Sequence, residues 1–126
     1  MSQSPLRVLI VDDSADDAEL MARALQVGGF DPQCLRVHTA EALSAALTQA
    51  RWWDLITCDV SMPDVQVADV LASVHAAIPT VPVVVVTGRY PSEVRRELGE
   101  QTANGFVSKQ CLDDLPHTVR AVLRSV

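Results

Sequence analysis

Val8-Leu9-Ile10-Val11-Asp12-Asp13 is an apolar run that stops on two carboxylates, and Leu55-Ile56-Thr57-Cys58-Asp59 repeats the device further along the chain. Short runs rich in β-branched residues are strands. A strand that ends on a carboxylate holds it at the strand's C-terminal end, and in an open parallel sheet that edge is where ligands bind. The two stretches together predict one acidic site.

Working outward, apolar runs alternate with segments of helical period, the pattern of repeated βα units and a parallel sheet. Strands are predicted over residues 7–11, 33–37, 54–58, 81–86 and 105–108. Pro82-Val83-Val84-Val85-Val86 is unbroken β-branched sequence after its proline, which suits a central strand covered by helices on both faces. The first helix follows Ser14 as N-cap, carries Leu20, Met21, Ala24 and Leu25, and stops at Gly28-Gly29. A second helix is predicted over 39–51, a third over 67–76 and a fourth over 91–101. The fifth carries Leu115, Val119, Val122 and Leu123, with Pro116 in its first turn, where a missing N–H costs nothing.

A length of 126 residues suits one domain, expected to span residues 1–126, either alone or as part of a longer regulator or hybrid sensor. The composition, 48% hydrophobic and 21% charged, is that of a soluble globular protein, and no apolar run approaches the roughly 20 residues that cross a bilayer. Met1-Ser2-Gln3-Ser4-Pro5 is not a secretory leader, so a cytoplasmic location without membrane attachment is expected. A net charge of −6 argues against direct nucleic-acid binding, which needs clustered, undiluted Lys and Arg. Cys34, Cys58 and Cys111 lack metal-ligand spacing and are read as reduced thiols, Cys58 as a small core filler. His38, His75 and His117 have no partner spacing. Of Trp52 and Trp53, at least one is expected to pack under a helix.

Carboxylates converging at one sheet edge repel one another unless a positive charge sits among them. A divalent cation resolves this, and magnesium suits an open cluster because it takes few carboxylates and keeps room for water and phosphate oxygens. Asp59, presented singly, is the carboxylate best placed as a nucleophile, and carboxylates accept phosphoryl groups. Thr87 brings a hydroxyl to the same edge. Lys109 follows the fifth strand and is the only lysine among ten basic residues. A compact ammonium serves as a point charge against phosphate where a planar guanidinium is not equivalent.

In this order and spacing, Val8 to Asp13, Asp59-Val60-Ser61-Met62-Pro63, Val84-Val85-Val86-Thr87-Gly88 and Gly105-Phe106-Val107-Ser108-Lys109 resemble the receiver domain of two-component response regulators, the CheY-like superfamily. The resemblance covers essentially the whole chain. It implies a doubly wound, flavodoxin-like (βα)5 fold with parallel strands in the order 2-1-3-4-5. It further implies that Asp59 is the phosphoacceptor and that Asp12, Asp13, Asp59 and the Ser61 backbone carbonyl hold Mg2+ or Mn2+. Thr87 would contact the phosphoryl group and Lys109 would pair with it. Thr87 and Phe106 would form a switch biasing the surface of the fourth helix, fifth strand and fifth helix. The implied partners are a sensor histidine kinase or phosphotransfer protein and a downstream effector, with homodimerisation through that same surface as a further option. Ser61 and Arg89 occupy positions that tune phosphoryl lifetime. The chain is then a signalling phosphoacceptor that catalyses only its own phosphorylation and dephosphorylation.

Two departures from the family pattern stand out. Gln110 replaces the usual cis proline after the lysine, and a non-proline cis bond costs about 2.5–4 kcal/mol, so a trans or strained turn is expected. The segment Asp64-Val65-Gln66-Val67 lacks the common glycine and is expected to follow a different path. Rival readings are a phosphorylation-independent pseudo-receiver and a haloacid-dehalogenase-like phosphatase. Retention of all the site residues counts against the first. In the second the nucleophile precedes the acidic pair, the reverse of the order here. A flavin carrier is weaker still, since Asp12-Asp13 and Asp16-Asp17 would repel the phosphate its first loop must cradle.

Overall fold

Strand β1, Ser4–Val11, alternates its side chains between two separate cores: Leu9 and Val11 enter one, Leu6, Val8 and Ile10 the other. That period of two is the geometry of a pleated strand buried on both faces. Strand β3, Leu55–Cys58, does the same, sending Ile56 and Cys58 one way and Leu55 the other. In β4, Val83–Thr87, every residue is buried, with Val83 in the first core and Val84 and Val86 in the second.

A computed structural model of the chain describes residues 4–48, 53–60, 62, 65–88, 91–98 and 103–124. Helices α2 (Ala40–Thr48) and α3 (Val67–Ala77) close the first core with Leu43, Leu47, Val70, Leu71 and Val74. Helices α1 (Ala15–Val27) and α5 (Leu115–Arg124) close the second with Met21, Leu25, Leu115 and Val119. Burial of each such side chain stabilises by about 1.5–3 kcal/mol. With β2 (Phe30–Val37), α4 (Pro91–Leu98) and β5 (Gly105–Ser108), the strands form one parallel sheet in the order β2-β1-β3-β4-β5. This is the doubly wound α/β fold that the sequence predicts.

Boundaries differ where tertiary contacts override local pattern. β2 begins at Phe30, three residues earlier than the apolar pattern suggests, because Phe30 is buried in the second core while Gln33 to Arg36 are exposed. Pro32 is accommodated because β2 pairs only with β1 and is an edge strand. β4 starts at Val83 rather than Val81 and takes in Thr87. Between β5 and α5 a 3-10 helix, Lys109–Asp114, interposes that the sequence pattern did not suggest. The predicted C-terminal ends of the second and fourth helices fall outside the described residues.

The α1 cap follows the predicted residues. Ser14 Oγ accepts from the Asp17 amide at 3.1 Å, and the helix ends with Gly28 N–H on the Ala24 carbonyl and Gly29 at φ 98°. Gly28 is required for close approach, since a Cβ there would overlap the Pro116 ring of α5. Arg120 reinforces the junction, stacking its guanidinium 4.9 Å from the Phe30 ring centroid and donating to the Gly28 carbonyl. Trp53 is buried and donates its indole N–H to the Ala46 carbonyl at 3.1 Å, which makes it the expected core tryptophan; Trp52 lies outside the described residues. The Lys109–Gln110 peptide is trans. Cys58 is buried and Cys34 and Cys111 are exposed, all three free. Among the described residues no helix is long and apolar enough to cross a membrane.

Thr57 lies on β3 with 1% exposure, and its hydroxyl has no hydrogen-bond partner among the described residues. A buried unsatisfied hydroxyl costs about 1–3 kcal/mol. Thr57→Val should therefore raise the thermal midpoint by a few degrees, on the order of 1 kcal/mol at this chain length. A melt monitored by far-UV circular dichroism checks this, and a lowered midpoint would mean that the hydroxyl has a partner.

Candidate functional site

The sheet register brings the carboxylates together. Val11 pairs with Cys58, and the Asp59 amide donates to the Val11 carbonyl at 2.9 Å, so Asp12 and Asp59 leave neighbouring strands side by side. The Asp12 amide donates to Val37 at 3.0 Å, and Arg36 Nη1 donates to the Asp12 carbonyl at 3.3 Å, which ties the backbone on the β2 side. Across β3, Thr87 pairs with Ser108, the residue before Lys109. Asp59 is thus flanked by acidic residues from β1 on one side and by the ends of β4 and β5 on the other.

Carboxylate oxygens of Asp12, Asp13 and Asp59 lie within 4.8 Å of one another, Asp13 exposed and the other two buried. The Lys109 ammonium enters this group, 3.0 Å from Asp12 Oδ2 and 3.2 Å from Asp59 Oδ2. Its shortest contact is 2.7 Å to Asp17 Oδ2, a residue the sequence reading did not place in the site. Burial works against the charged lysine, but hydrogen bonds to Asp17 and then Asp12, with the attraction of Asp12 and Asp59, outweigh it and hold its pKa above the ordinary range.

Asp12 is the strained member of the group. Its Oδ1 accepts from the Ser14 amide at 2.9 Å. Its Oδ2 is buried without an aligned hydrogen bond, although Lys109 Nζ stands 3.0 Å away as an ion-pair partner. Burial raises the Asp12 pKa above the usual carboxylate value, more than the Ser14 amide and Lys109 lower it, and Asp59 adds to the rise. A buried oxygen held by the Lys109 ion pair alone among the described residues, beside two more hard carboxylate ligands, suits an added divalent cation such as magnesium. Cys58, adjacent to Asp59, is no competing soft ligand, because burial first, and the Asp59 and Asp12 charges after it, push its thiol pKa up and keep it protonated.

Asp12, Asp13, Asp59 and Lys109 are therefore brought into one group, and Thr87, fully buried, ends β4 at the same edge. Phe106 pairs with Val85, is half-buried, and faces away from the second core that Val107 enters. Ser61 and Arg89, expected as a metal-ligand carbonyl and as modulators, lie outside the described residues, as does Asp64. Val65 of the same loop is buried in the first core, and Gln66 caps α3 without a side-chain bond. The signal that could have found Asp17 is positional: it stands three residues after the N-cap Ser14, on the turn of α1 nearest the strand ends.

Residues 8–120 match the family model of the response regulator receiver domain. The chain belongs to that family, and is a receiver of two-component signalling. It is 32% identical over 125 residues to Probable transcriptional regulatory protein TcrX of Mycobacterium tuberculosis, covering 95% of this chain and 50% of that protein. The receiver therefore spans about half the length of this relative. It also superimposes on the signal receiver domain of a signal transduction histidine kinase from Syntrophus aciditrophicus, with TM-score 0.75 and 30% identity over 95% of this chain and 91% of that one. A CheY-like receiver domain from Methanospirillum hungatei matches in fold, with TM-score 0.77 at 23% identity over 97% and 96% of the two chains.

The raised Asp12 pKa fixes the sign of a stability effect. A group that binds its proton more tightly when folded favours the fold below that pKa and loses this contribution as pH rises through it. The Asp12→Asn receiver should therefore be more stable than wild type at neutral pH without metal, and the gap should close on acidification as Asp12 protonates. Urea denaturation across the acid-to-neutral range measures this; a variant less stable than wild type at neutral pH would contradict it.

Proposed function

We propose that this receiver accepts a phosphoryl group on Asp59 from the phosphohistidine of a sensor histidine kinase or phosphotransfer protein. The observation that carries this reading is the Lys109 ammonium 3.2 Å from Asp59 Oδ2, beside the clustered carboxylates of Asp12 and Asp13. An Asp59 carboxylate oxygen attacks phosphorus; the P–N bond to the donor imidazole breaks, and its electron pair leaves with the imidazole. Asp12, Asp13, Asp59 and the Ser61 backbone carbonyl would hold Mg2+ or Mn2+. When bound, such a cation neutralises charge on phosphoryl and carboxylate oxygens. Lys109 supplies a fixed positive charge to one phosphoryl oxygen, and Thr87 donates its hydroxyl to another.

The proposed output uses the same sheet edge. Moving the Thr87 hydroxyl toward a phosphoryl group at Asp59 would vacate space on the β4–β5 side, and the half-buried Phe106, on the neighbouring strand, would turn into it. That change would bias the surface made by α4, β5 and α5, where a downstream effector or a second copy of the receiver docks. Ser61, two residues after Asp59, and Arg89, two residues after Thr87, would tune the lifetime of the phosphoryl group. With a net charge of −6 the chain is not the nucleic-acid-binding part of its pathway. It acts as one cytoplasmic domain that turns over no substrate besides its own phosphoryl group.

Incubation with acetyl phosphate and magnesium, followed by intact mass measurement, tests this reading. One phosphoryl adduct is expected, dependent on magnesium and absent in Asp59→Asn. Lys109→Met should slow its formation on the order of 10²-fold, the scale of losing one positioned electrostatic partner. An adduct that survives in Asp59→Asn, or none in wild type, would overturn the assignment.

A further inference from the structure

The shortest contact of Lys109 is to Asp17, at 2.7 Å, rather than to either strand-end aspartate. The way α1 is capped frees Asp17 for this. In a capping box the residue three after the N-cap returns its side chain to the N-cap amide. Here the Asp17 amide donates to Ser14 Oγ, but the Ser14 amide donates to Asp12 Oδ1 at 2.9 Å. Asp12 has taken the acceptor role that the Asp17 carboxylate would otherwise fill. The Asp17 carboxylate is left to face Lys109, on a rigid first helical turn.

The contacts also set up a competition. The oxygens nearest Lys109 besides Asp17 are Asp12 Oδ2 and Asp59 Oδ2, on two of the three residues that would ligate a cation. An ammonium and a divalent ion repel, so the lysine must slacken its hold on both when the ion arrives. Asp17, with a side chain 36% exposed against 0% for Asp12, lies on the solvent side of that exchange. Resting on the phosphoacceptor reading above, we propose that Asp17 is a positioning residue: it holds Lys109 at the site's mouth while the cation takes Asp12 and Asp59. The lysine is thereby kept in place for the phosphoryl group instead of blocking the metal. Without Asp17, the carboxylates left to pair with Lys109 among the described residues are the metal's own ligands, and the two cations compete directly.

Because Lys109 is the only lysine, protein labelled with 13C and 15N lysine gives a single side-chain signal to follow. Magnesium is titrated into wild type, Asp17→Asn and Asp16→Asn, with calorimetry for affinity and the lysine ε signal for its environment. Asp16 is the adjacent exposed carboxylate on the same turn and controls for loss of one charge. The expected result is about tenfold weaker magnesium binding in Asp17→Asn, the scale of a strong pairwise coupling. In its magnesium-bound form the lysine signal should fall to the position of a free side chain, while in wild type and Asp16→Asn it stays displaced. Equal losses in the Asp17 and Asp16 variants would reduce the effect to bulk charge and overturn the proposal. So would a lysine signal in magnesium-bound Asp17→Asn that coincides with wild type. Failure of wild type itself to bind magnesium is a separate outcome: it removes the phosphoacceptor reading and this proposal with it.

Discussion

The ammonium of Lys109 is the charge that lets acidic residues from three elements share one place. Asp12 from β1, Asp59 from β3 and Asp17 from α1 all lie within 3.2 Å of it. Each of those positions follows from backbone pairing: the β1–β3 register sets Asp12 beside Asp59, the β4–β5 register sets Lys109 beyond Thr87, and the α1 cap turns Asp17 toward both. Unneutralised, the cluster would push at least one carboxylate to protonate. Lysine is suited to this part because its point charge can move between partners on a flexible stem, whereas a guanidinium would lock into a fork.

The site is held at some cost to the fold. Asp12 is fully buried with one oxygen lacking an aligned donor, and burial raises its pKa despite the nearby lysine. A residue chosen for stability alone would be uncharged there. The opposite side of the balance is the pair of apolar cores, which bury β1, β3 and β4 on both faces and leave their C-terminal ends little freedom. Local strain at a functional edge is tolerated when the surrounding sheet is this well packed. In the proposed switch, the same rigidity would carry a small rearrangement at Thr87 to Phe106 and the α4–β5–α5 side, since packed interfaces change between discrete arrangements.

Much of this was legible before any coordinates. The apolar runs that stop on Asp12-Asp13 and on Asp59 located the sheet edge where the carboxylates cluster, because strand period and strand termination are local properties of sequence. The isolated lysine marked its counter-charge. Asp17 was missed because it was read with Asp16 only as negative charge that would repel a phosphate cradled by the first loop; only the rotation imposed by the Ser14 cap separates the two, Asp17 to the site and Asp16 to solvent. The first residues of β2 were missed because Asp31 and Pro32 carry no strand signal, and it is burial of Phe30 that draws them into the sheet. The 3-10 turn after Lys109 was likewise silent in sequence: Ser108 Oγ accepts from the Gln110 amide at 3.1 Å, a side-chain to backbone bond whose use depends on where β5 ends.

The central claim is that this edge receives a divalent cation and then a phosphoryl group. The most direct measurement is a two-dimensional amide NMR titration, first with magnesium and then with beryllofluoride as a phosphoryl mimic. Magnesium should move the amides of Asp12, Asp13 and Asp59, and beryllofluoride should then move Thr87, Lys109 and Phe106 and spread into α4. Amides at the strand ends that ignore magnesium, or a beryllofluoride response absent from Thr87 and Lys109, would contradict it.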